Sequence, residues 1–287
     1  MFFLTPLIFL LVILIPLPFT ISYHKLSGRS HGLLAAITPV IFIILFGSLV
    51  GLLLGVYASG LGTVYGYLTR EKEPAFDVIK FGTIGMVVLF SLFLLGMQYF
   101  YDVNLIQGTE EYLAEMVQVQ AEQLEEAEVP SSQIQELKEI PNLYSEFIKP
   151  LIPSGLIISA VVLSFTHYLA GYKILNSYGK ELNQITSFKY WKLPRYISII
   201  FIISILGVLI AGHESSLPGV FFMNLFNLLT YALMVQGASL SYWFLREKKI
   251  AKFISVVVII IIFIIPPLSF ILLFAGVFDL AFNFRKV

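Results

Sequence analysis

The sequence predicts an all-α protein, a polytopic transmembrane helical bundle of about eight segments with an acidic extracytoplasmic helical hairpin. Hydrophobic residues make up 58% of the 287 positions, and the mean hydropathy is +0.88. Several uncharged runs reach the roughly 20 residues that a helix needs to cross a bilayer. Because these runs are continuous rather than alternating, they favour helices over a barrel. The charges are also segregated: residues 101–150 contain 11 of the 18 acidic residues.

The apolar runs predict membrane spans in a definite order along the chain. Residues 32–69 are too long for one crossing, and we expect a division near Gly47. The last run, 253–283, is interrupted by Pro266 and Pro267, so it is either one long kinked span or a two-helix hairpin. The predicted spans are 2–21 (retained rather than cleaved), the two halves of 32–69, 81–100, 152–172, 196–211, 220–244 and 253–283.

Lys and Arg predict the orientation of these spans, because they concentrate in cytoplasmic loops. They cluster at 23–31, 70–80, 173–195 and 245–252, which places 101–150 and the connector 212–219 outside. We therefore expect a multi-pass protein of a bacterial cytoplasmic membrane with the lipid bilayer as its main partner. Its three regions are the N-terminal transmembrane helices 1–100, the acidic extracytoplasmic helical segment 101–150 and the C-terminal transmembrane helices 151–287.

The acidic segment is expected to form two amphipathic helices. Thr109 followed by Glu110 and Glu111 is a favourable helix start, and Pro130 separates the two helices. The segment is interpreted as a solvated hairpin on the outer membrane face. The alternative is that it covers a cavity or binds a basic partner.

Small residues recur every four positions in the second and third predicted spans. This period lines one helix face and permits a close approach of another helix. The face serves either internal packing or contact with a membrane protein partner. Its members are Gly47, Gly51, Gly55, Ser59, Gly62 and Gly66.

Polar residues inside spans are costly and suggest function. Asn224, Asn227 and Tyr231 share one face of span 220–244, and Gln236 follows on the same span. Together with Thr166 and His167 they are the candidate binding residues for a small polar solute. The alternative is that these side chains only form hydrogen bonds between helices.

Enzyme chemistry finds little support in the sequence. There is no cysteine, and no zinc-protease helix, phosphate-binding glycine loop or paired intramembrane carboxylate. We therefore expect no enzyme activity, catalytic residue, metal or cofactor, and topology explains the basic loops without nucleic acid. Asp279 is expected to anchor at the interface and to pair with Arg285, with proton relay as the alternative.

Three motifs point to a family: the aromatic-basic-Leu-Pro loop 187–195, the segment 236–245 and the terminal segment 278–286. With these, the chain resembles the YybS-like family of uncharacterised bacterial multi-pass membrane proteins over essentially its whole length. More remotely, its early helices are similar to substrate-binding membrane subunits of energy-coupling-factor vitamin transporters and to MreD-type proteins. The resemblance implies a membrane fold and no particular activity.

Two functions follow as hypotheses. The first is a small-solute binding or transport component without its own ATPase, since no nucleotide-binding motif is present. The alternative is a non-catalytic envelope scaffold or regulatory membrane protein. Convergence of Asn224, Asn227 and His167 on an open cavity favours the first, and hydrogen bonding in a packed interior favours the second.

Overall fold

A computed structural model describes residues 14–127, 129–211 and 216–285. Within these ranges every regular element is helical, as predicted, and no strand occurs. The helices are α1 Leu17–Lys25, α2 Gly28–Phe46, α3 Ser48–Val56, α4 Gly62–Arg70, α5 Ala75–Tyr101, α6 Leu105–Glu126, α7 Ser131–Lys138, α8 Ile140–Leu143, α9 Ile152–Ser177, α10 Tyr196–Ala211, α11 Leu217–Glu247, α12 Lys252–Ile264 and α13 Pro266–Phe282.

The described helices include fewer complete spans than the sequence suggests. Five stretches are long and apolar enough to cross a membrane, and α12 with α13 adds a sixth if the pair is one bent span. The expected total of about eight segments is therefore not confirmed. Helix α10 has 16 residues and is about 24 Å long, shorter than the roughly 30 Å bilayer core. The predicted first span, 2–21, lies mostly outside the described residues.

Two breaks in the apolar runs have clear physical causes. The run 32–69 divides at Gly47, as predicted, where a φ of +88° is one that glycine adopts readily. The last run divides after Ile265, and the axes of α12 and α13 differ by 109°. Pro266 begins the second helix, because a proline tolerates a first helical turn but not a helix interior. The run is thus two helices joined by a sharp bend.

The described chain forms two units. Unit 1 comprises the described residues within Met1–Lys149 and Gly155–Ile185, and unit 2 comprises those within Pro150–Ser154 and Thr186–Val287. The interior of unit 1 is built around Tyr65, Val78 and Met86, and that of unit 2 around Leu233 and Leu272. The sequence-based division into 1–100, 101–150 and 151–287 stays a prediction.

Large apolar side chains are exposed on the helix surfaces. Ile44 of α2 is 78% exposed and Ile210 of α10 is 86% exposed. A soluble protein rarely leaves such contiguous apolar surface in water. The surface is that of a helical protein embedded in lipid.

The acidic region consists of α6, α7 and α8. Its first helix starts at Leu105 rather than at Thr109, because Asn104 Oδ1 accepts hydrogen bonds of 3.1 Å from the free N–H groups of Ile106 and Gln107. Two ion pairs connect the first half of the region to the second: Lys138–Glu125 at 2.9 Å and Lys149–Glu110 at 2.6 Å. Its position outside the membrane stays a prediction.

Candidate functional site

Helices α11 and α13 of unit 2 pack backbone against backbone. A Cβ atom on Gly237 would lie 1.8 Å from Leu272 O, and one on Gly276 would lie 2.0 Å from Leu233 O. Only glycine fits such a contact, since real side-chain carbons do not approach so closely. This packing brings polar residues near the two glycines into contact.

Those polar residues form a buried charged cluster. Arg285 Nη2 lies 2.6 Å from Asp279 Oδ2, and the two side chains are 1% and 0% exposed. Gln236 Nε2 donates to the same Asp279 oxygen at 2.5 Å, and Arg285 Nη1 donates to Ser239 Oγ at 2.7 Å. The predicted pairing of Asp279 with Arg285 is confirmed, and protein groups surround the pair.

The loop 187–195 completes the cluster with backbone groups. Arg285 donates to Lys189 O at 2.7 Å and to Trp191 O at 2.9 Å, and Leu193 N donates to Gln236 Oε1 at 2.8 Å. Ser239 Oγ also donates to Phe188 O at 2.6 Å. The three sequence motifs that suggested a family therefore meet in one place, and we take this cluster as the candidate site.

The electrostatics of the cluster are those of a buried ion pair with incomplete hydrogen bonding. Two buried charges cost several kcal/mol each to desolvate, and good geometry with further hydrogen bonds must offset that cost. Asp279 Oδ1 and Arg285 Nε have no hydrogen-bond partner among the described residues. One is an acceptor and the other a donor, so each can still bind a small polar group.

Asn224 and Asn227 lie elsewhere on α11 and serve the start of helix α9. Asn224 Oδ1 accepts from Ser154 N at 2.8 Å, and its Nδ2 donates to Pro150 O at 2.8 Å and to Val220 O at 2.7 Å. Asn227 Nδ2 donates to Ser154 Oγ at 2.8 Å. Asn224 thus caps one of the N–H groups that a helix start leaves free. Sequence inspection missed Ser154, whose only signal was its place just after a proline at a helix start.

His167 belongs to a different cluster, within unit 1. The Thr20 hydroxyl lies 3.1 Å from Gly62 O and is hydrogen-bonded to His167 Nε2 at 3.2 Å. The His167 ring centroid lies 4.1 Å from that of Tyr65. Tyr65 Oη in turn donates to Ser164 Oγ at 2.6 Å. His167 is 1% exposed and is a satisfied interior histidine.

The six predicted binding residues are divided between the two units. Thr166 and His167 lie in unit 1, and the other four lie in unit 2. Thr166 donates to Val162 O of its own helix at 2.7 Å, and Tyr231 is 39% exposed. Gln236 lies 12 residues beyond Asn224 on α11, which is about 18 Å along a helix.

The small residues of α3 and α4 pack inside unit 1. A Cβ atom on Gly51 or Gly55 would lie 2.2 or 2.4 Å from backbone atoms of α2. One on Gly62 would lie 2.3 Å from Pro16 O, and one on Gly66 would lie 2.5 Å from Tyr23 Cβ of α1. Of the two interpretations offered for this face, the structure shows internal packing at these four positions.

Two members of that face differ from the rest. A Cβ atom on Gly47 would meet nothing within 4 Å, so this glycine serves the backbone break. Ser59 is buried in a π-helical turn, Tyr57–Leu61, where its hydroxyl donates to Gly55 O at 2.8 Å. Such turns insert one extra residue and shift the helix face that follows.

Comparison with known proteins gives a family for the whole chain. The family described as "Predicted membrane protein (DUF2232)" matches residues 1–280. A Bacillus subtilis (strain 168) protein named "Uncharacterized protein YybS" is 23% identical over 283 residues, which is 96% of this chain and 89% of that protein. No solved structure matches the chain. The resemblance to the YybS-like family is confirmed, whereas the remoter similarity to vitamin-transporter subunits and MreD-type proteins is not shown.

Proposed function

Since the chain belongs to the DUF2232 family of predicted membrane proteins, we propose that it is a non-catalytic scaffold or regulator of the bacterial cytoplasmic membrane. One observation carries this proposal: the polar residues expected to bind a solute are used in hydrogen bonds within each unit. Asn224 and Asn227 bind the start of α9, Gln236 binds Asp279, and His167 binds Thr20. Such groups hold helices together within each unit, which is what a scaffold requires of them.

The surface through which such a protein acts is the exposed face of α6. Glu111, Glu115, Glu122 and Glu126 are all exposed there, whereas Gly51, Gly55 and Gly66 already pack against α2 and α1. Under the proposed topology α6 lies outside the membrane, where it presents negative charge to a basic segment of another envelope protein. Complementary charge of this kind guides protein association and favours one partner over others.

Photo-crosslinking in living cells tests the proposal. A crosslinking amino acid at position 115 is expected to capture a defined protein, and the triple variant E111Q/E115Q/E122Q, crosslinked from position 118, is expected to lose it. Position 247, an exposed glutamate at the end of α11, is the control. Capture of the same proteins from positions 115 and 247, or no capture from α6, would contradict the proposal.

A small-solute binding component without its own ATPase is the second candidate. It is favoured by Asp279 Oδ1 and Arg285 Nε, which have no partner among the described residues. Mass spectrometry of the full chain in mild detergent tests it. If a stoichiometric solute is lost from Asp279→Asn but kept by Asn224→Ala, the solute-binding function replaces the scaffold proposal. A wild-type preparation that contains no solute would exclude the solute-binding function.

A further inference from the structure

Unit 1 contains a polar cavity that none of the interactions described so far uses. Its volume is 360 Å³, within the range of about 300–1,000 Å³ typical of small-molecule sites. It lies where the C-terminal ends of three helices, α1, α4 and α9, meet the loops that follow α4 and α9. The residues that line it are His24, Thr69, Arg70, Lys72, Gly179, Lys180 and Glu181.

The charge of this cavity is strongly positive. Arg70, Lys72 and Lys180 contribute three cations, against the single carboxylate of Glu181. None of these three cations takes part in an ion pair among the described residues. A concave site with excess charge of one sign attracts ligands of the opposite sign.

Helix capping does not account for the two lysines. Lys72 N and Glu73 N donate to Thr69 O and Leu68 O, which closes the end of α4 with backbone groups. Gly179 N and Lys180 N close the end of α9 in the same way, with Asn176 O and Leu175 O as acceptors. Because these carbonyl groups are already bonded, the lysine side chains are not required for them.

Hydrogen bonds join the two loops that frame the cavity. Asn183 Nδ2 donates to Lys72 O at 2.6 Å and to Glu73 O at 3.0 Å, so it joins the two loops directly. Tyr168 Oη donates to Asn183 O at 2.5 Å and fixes the second loop to α9. Gly179 turns the chain with a φ of +74°, which glycine tolerates best. The backbone at Lys72 and at Lys180 is therefore held at a set separation, which lowers the entropic cost of binding a ligand.

His24 shows what this charge does inside the cavity. Thr69 Oγ1 donates its one proton to Tyr65 O at 2.6 Å, so His24 Nε2 at 2.9 Å is the donor in their hydrogen bond. Burial lowers the pKa of the His24 imidazole, and the charges of Lys180 and Arg70 lower it further. The surroundings of His24 thus oppose added positive charge and favour an anion.

We propose that this cavity binds a phosphate-bearing anion. Phosphate oxygens accept charge-assisted hydrogen bonds from Arg and Lys, and Arg70, Lys72 and Lys180 are the donors that line this cavity. The sequence predicts that the loops 23–31, 70–80 and 173–195 are cytoplasmic, so the cavity lies at the level of lipid headgroups. Basic pockets there bind anionic headgroups. The phosphate belongs either to such a lipid or to a soluble metabolite, and the experiment separates the two.

The test measures thermal unfolding of the full chain against three probes. Inorganic phosphate and glycerol phosphate are titrated in zwitterionic detergent, and phosphatidylglycerol is compared with phosphatidylcholine in nanodiscs. A ligand that binds the folded state raises the unfolding midpoint with concentration, which yields an apparent Kd. Stabilisation by phosphatidylglycerol alone identifies a lipid headgroup, and stabilisation by the soluble probes identifies a metabolite; either result supports the proposal.

Three variants give the test its specificity. Lys180→Gln is expected to raise the apparent Kd of the probe that binds about tenfold, in line with the loss of one charge-assisted hydrogen bond. Glu181→Gln is expected to lower that Kd, an effect that misfolding cannot imitate. Lys173→Gln is the matched control, because Lys173 is exposed on α9 outside the cavity. Absence of any probe effect on the wild type, or equal losses in Lys180→Gln and Lys173→Gln, would overturn the proposal.

Discussion

Asp279 and Arg285 form an ion pair of 2.6 Å, and both side chains are almost completely buried within unit 2. Six positions separate them, and helix α13 ends between them at Phe282. Asn283 adopts a left-handed conformation with a φ of 49°, which turns the chain after the helix. The turn lets Arg285 reach back to the carboxylate and to the loop 187–195 in the same unit.

Removing one member of this pair is expected to destabilise unit 2. Arg285→Gln leaves a buried carboxylate without its counter-charge, which typically costs about 3–5 kcal/mol. The double variant D279N/R285Q removes both charges and is expected to regain part of the loss. Unfolding in increasing SDS measures the effect, with exposed Arg195→Gln as control. Equal stability of the single variant and the wild type would show that the pair contributes nothing.

The contact of α11 with α13 predicts a strong asymmetry among glycine substitutions. Gly237→Ala and Gly276→Ala place a methyl group about 2 Å from backbone oxygens, and overpacking of this kind costs about 1–3 kcal/mol or more. Gly155→Ala in α9 meets nothing within 4 Å, so it is expected to be neutral or stabilising. Thermal unfolding in detergent compares the three. If all three behave alike, the close packing of the two helices is wrong.

The amide of Asn224 is expected to stabilise the start of α9 rather than to bind a ligand. Asn224→Ala removes three hydrogen bonds, and loss of a helix cap costs about 0.5–2 kcal/mol. Hydrogen exchange of the amides at 154–156 is expected to become faster. Thr230→Val on the same helix is the control, because Thr230 Oγ1 has no partner among the described residues and its loss leaves no group unpaired. Unchanged protection of 154–156 in Asn224→Ala would exclude the capping role.

The acidic region is expected to loosen at low pH. Hydrogen bonds from Lys149 and Ser145 lower the pKa of Glu110 below its ordinary value of 4.5. Since the folded pKa lies below the unfolded one, this contact stabilises the region above pH 4.5 and is lost as the pH falls through the lowered pKa.

Spin labels at the exposed positions 114 and 142 measure this loosening as a broader distance distribution. The distribution is expected to be narrow at neutral pH and broad in acid. The Glu110→Gln variant is expected to give a broad distance distribution at neutral and at acid pH. The Glu111→Gln variant, changed on the exposed side of α6, is expected to keep the wild-type distributions. A distribution that stays narrow in Glu110→Gln would mean that other contacts hold the two segments together.

The polar residues show how far sequence inspection reaches. Asn224 and Asn227 were identified as unusual because an amide inside an apolar run is costly whatever surrounds it. Their partner Ser154 is 70 positions from Asn224, and no local pattern relates the two. The helical period places Asn224, Asn227 and Tyr231 on one face, but it does not say what that face contacts. The structure gives the two amides a hydrogen-bonding role and leaves Tyr231 partly exposed.

The sequence by itself determined that this is an all-helical membrane protein, because long uncharged apolar runs form helices that can cross a bilayer. It also located the division at Gly47 and the break at Pro266, which follow from the backbone chemistry of glycine and proline. Only the tertiary structure decided that Asp279, Arg285, Gln236 and Ser239 form one cluster, and that the basic residues near His24 surround one cavity. The reason is physical: a helix pattern depends on neighbours three or four positions away, whereas these sites join side chains that packing brings together from distant parts of the chain.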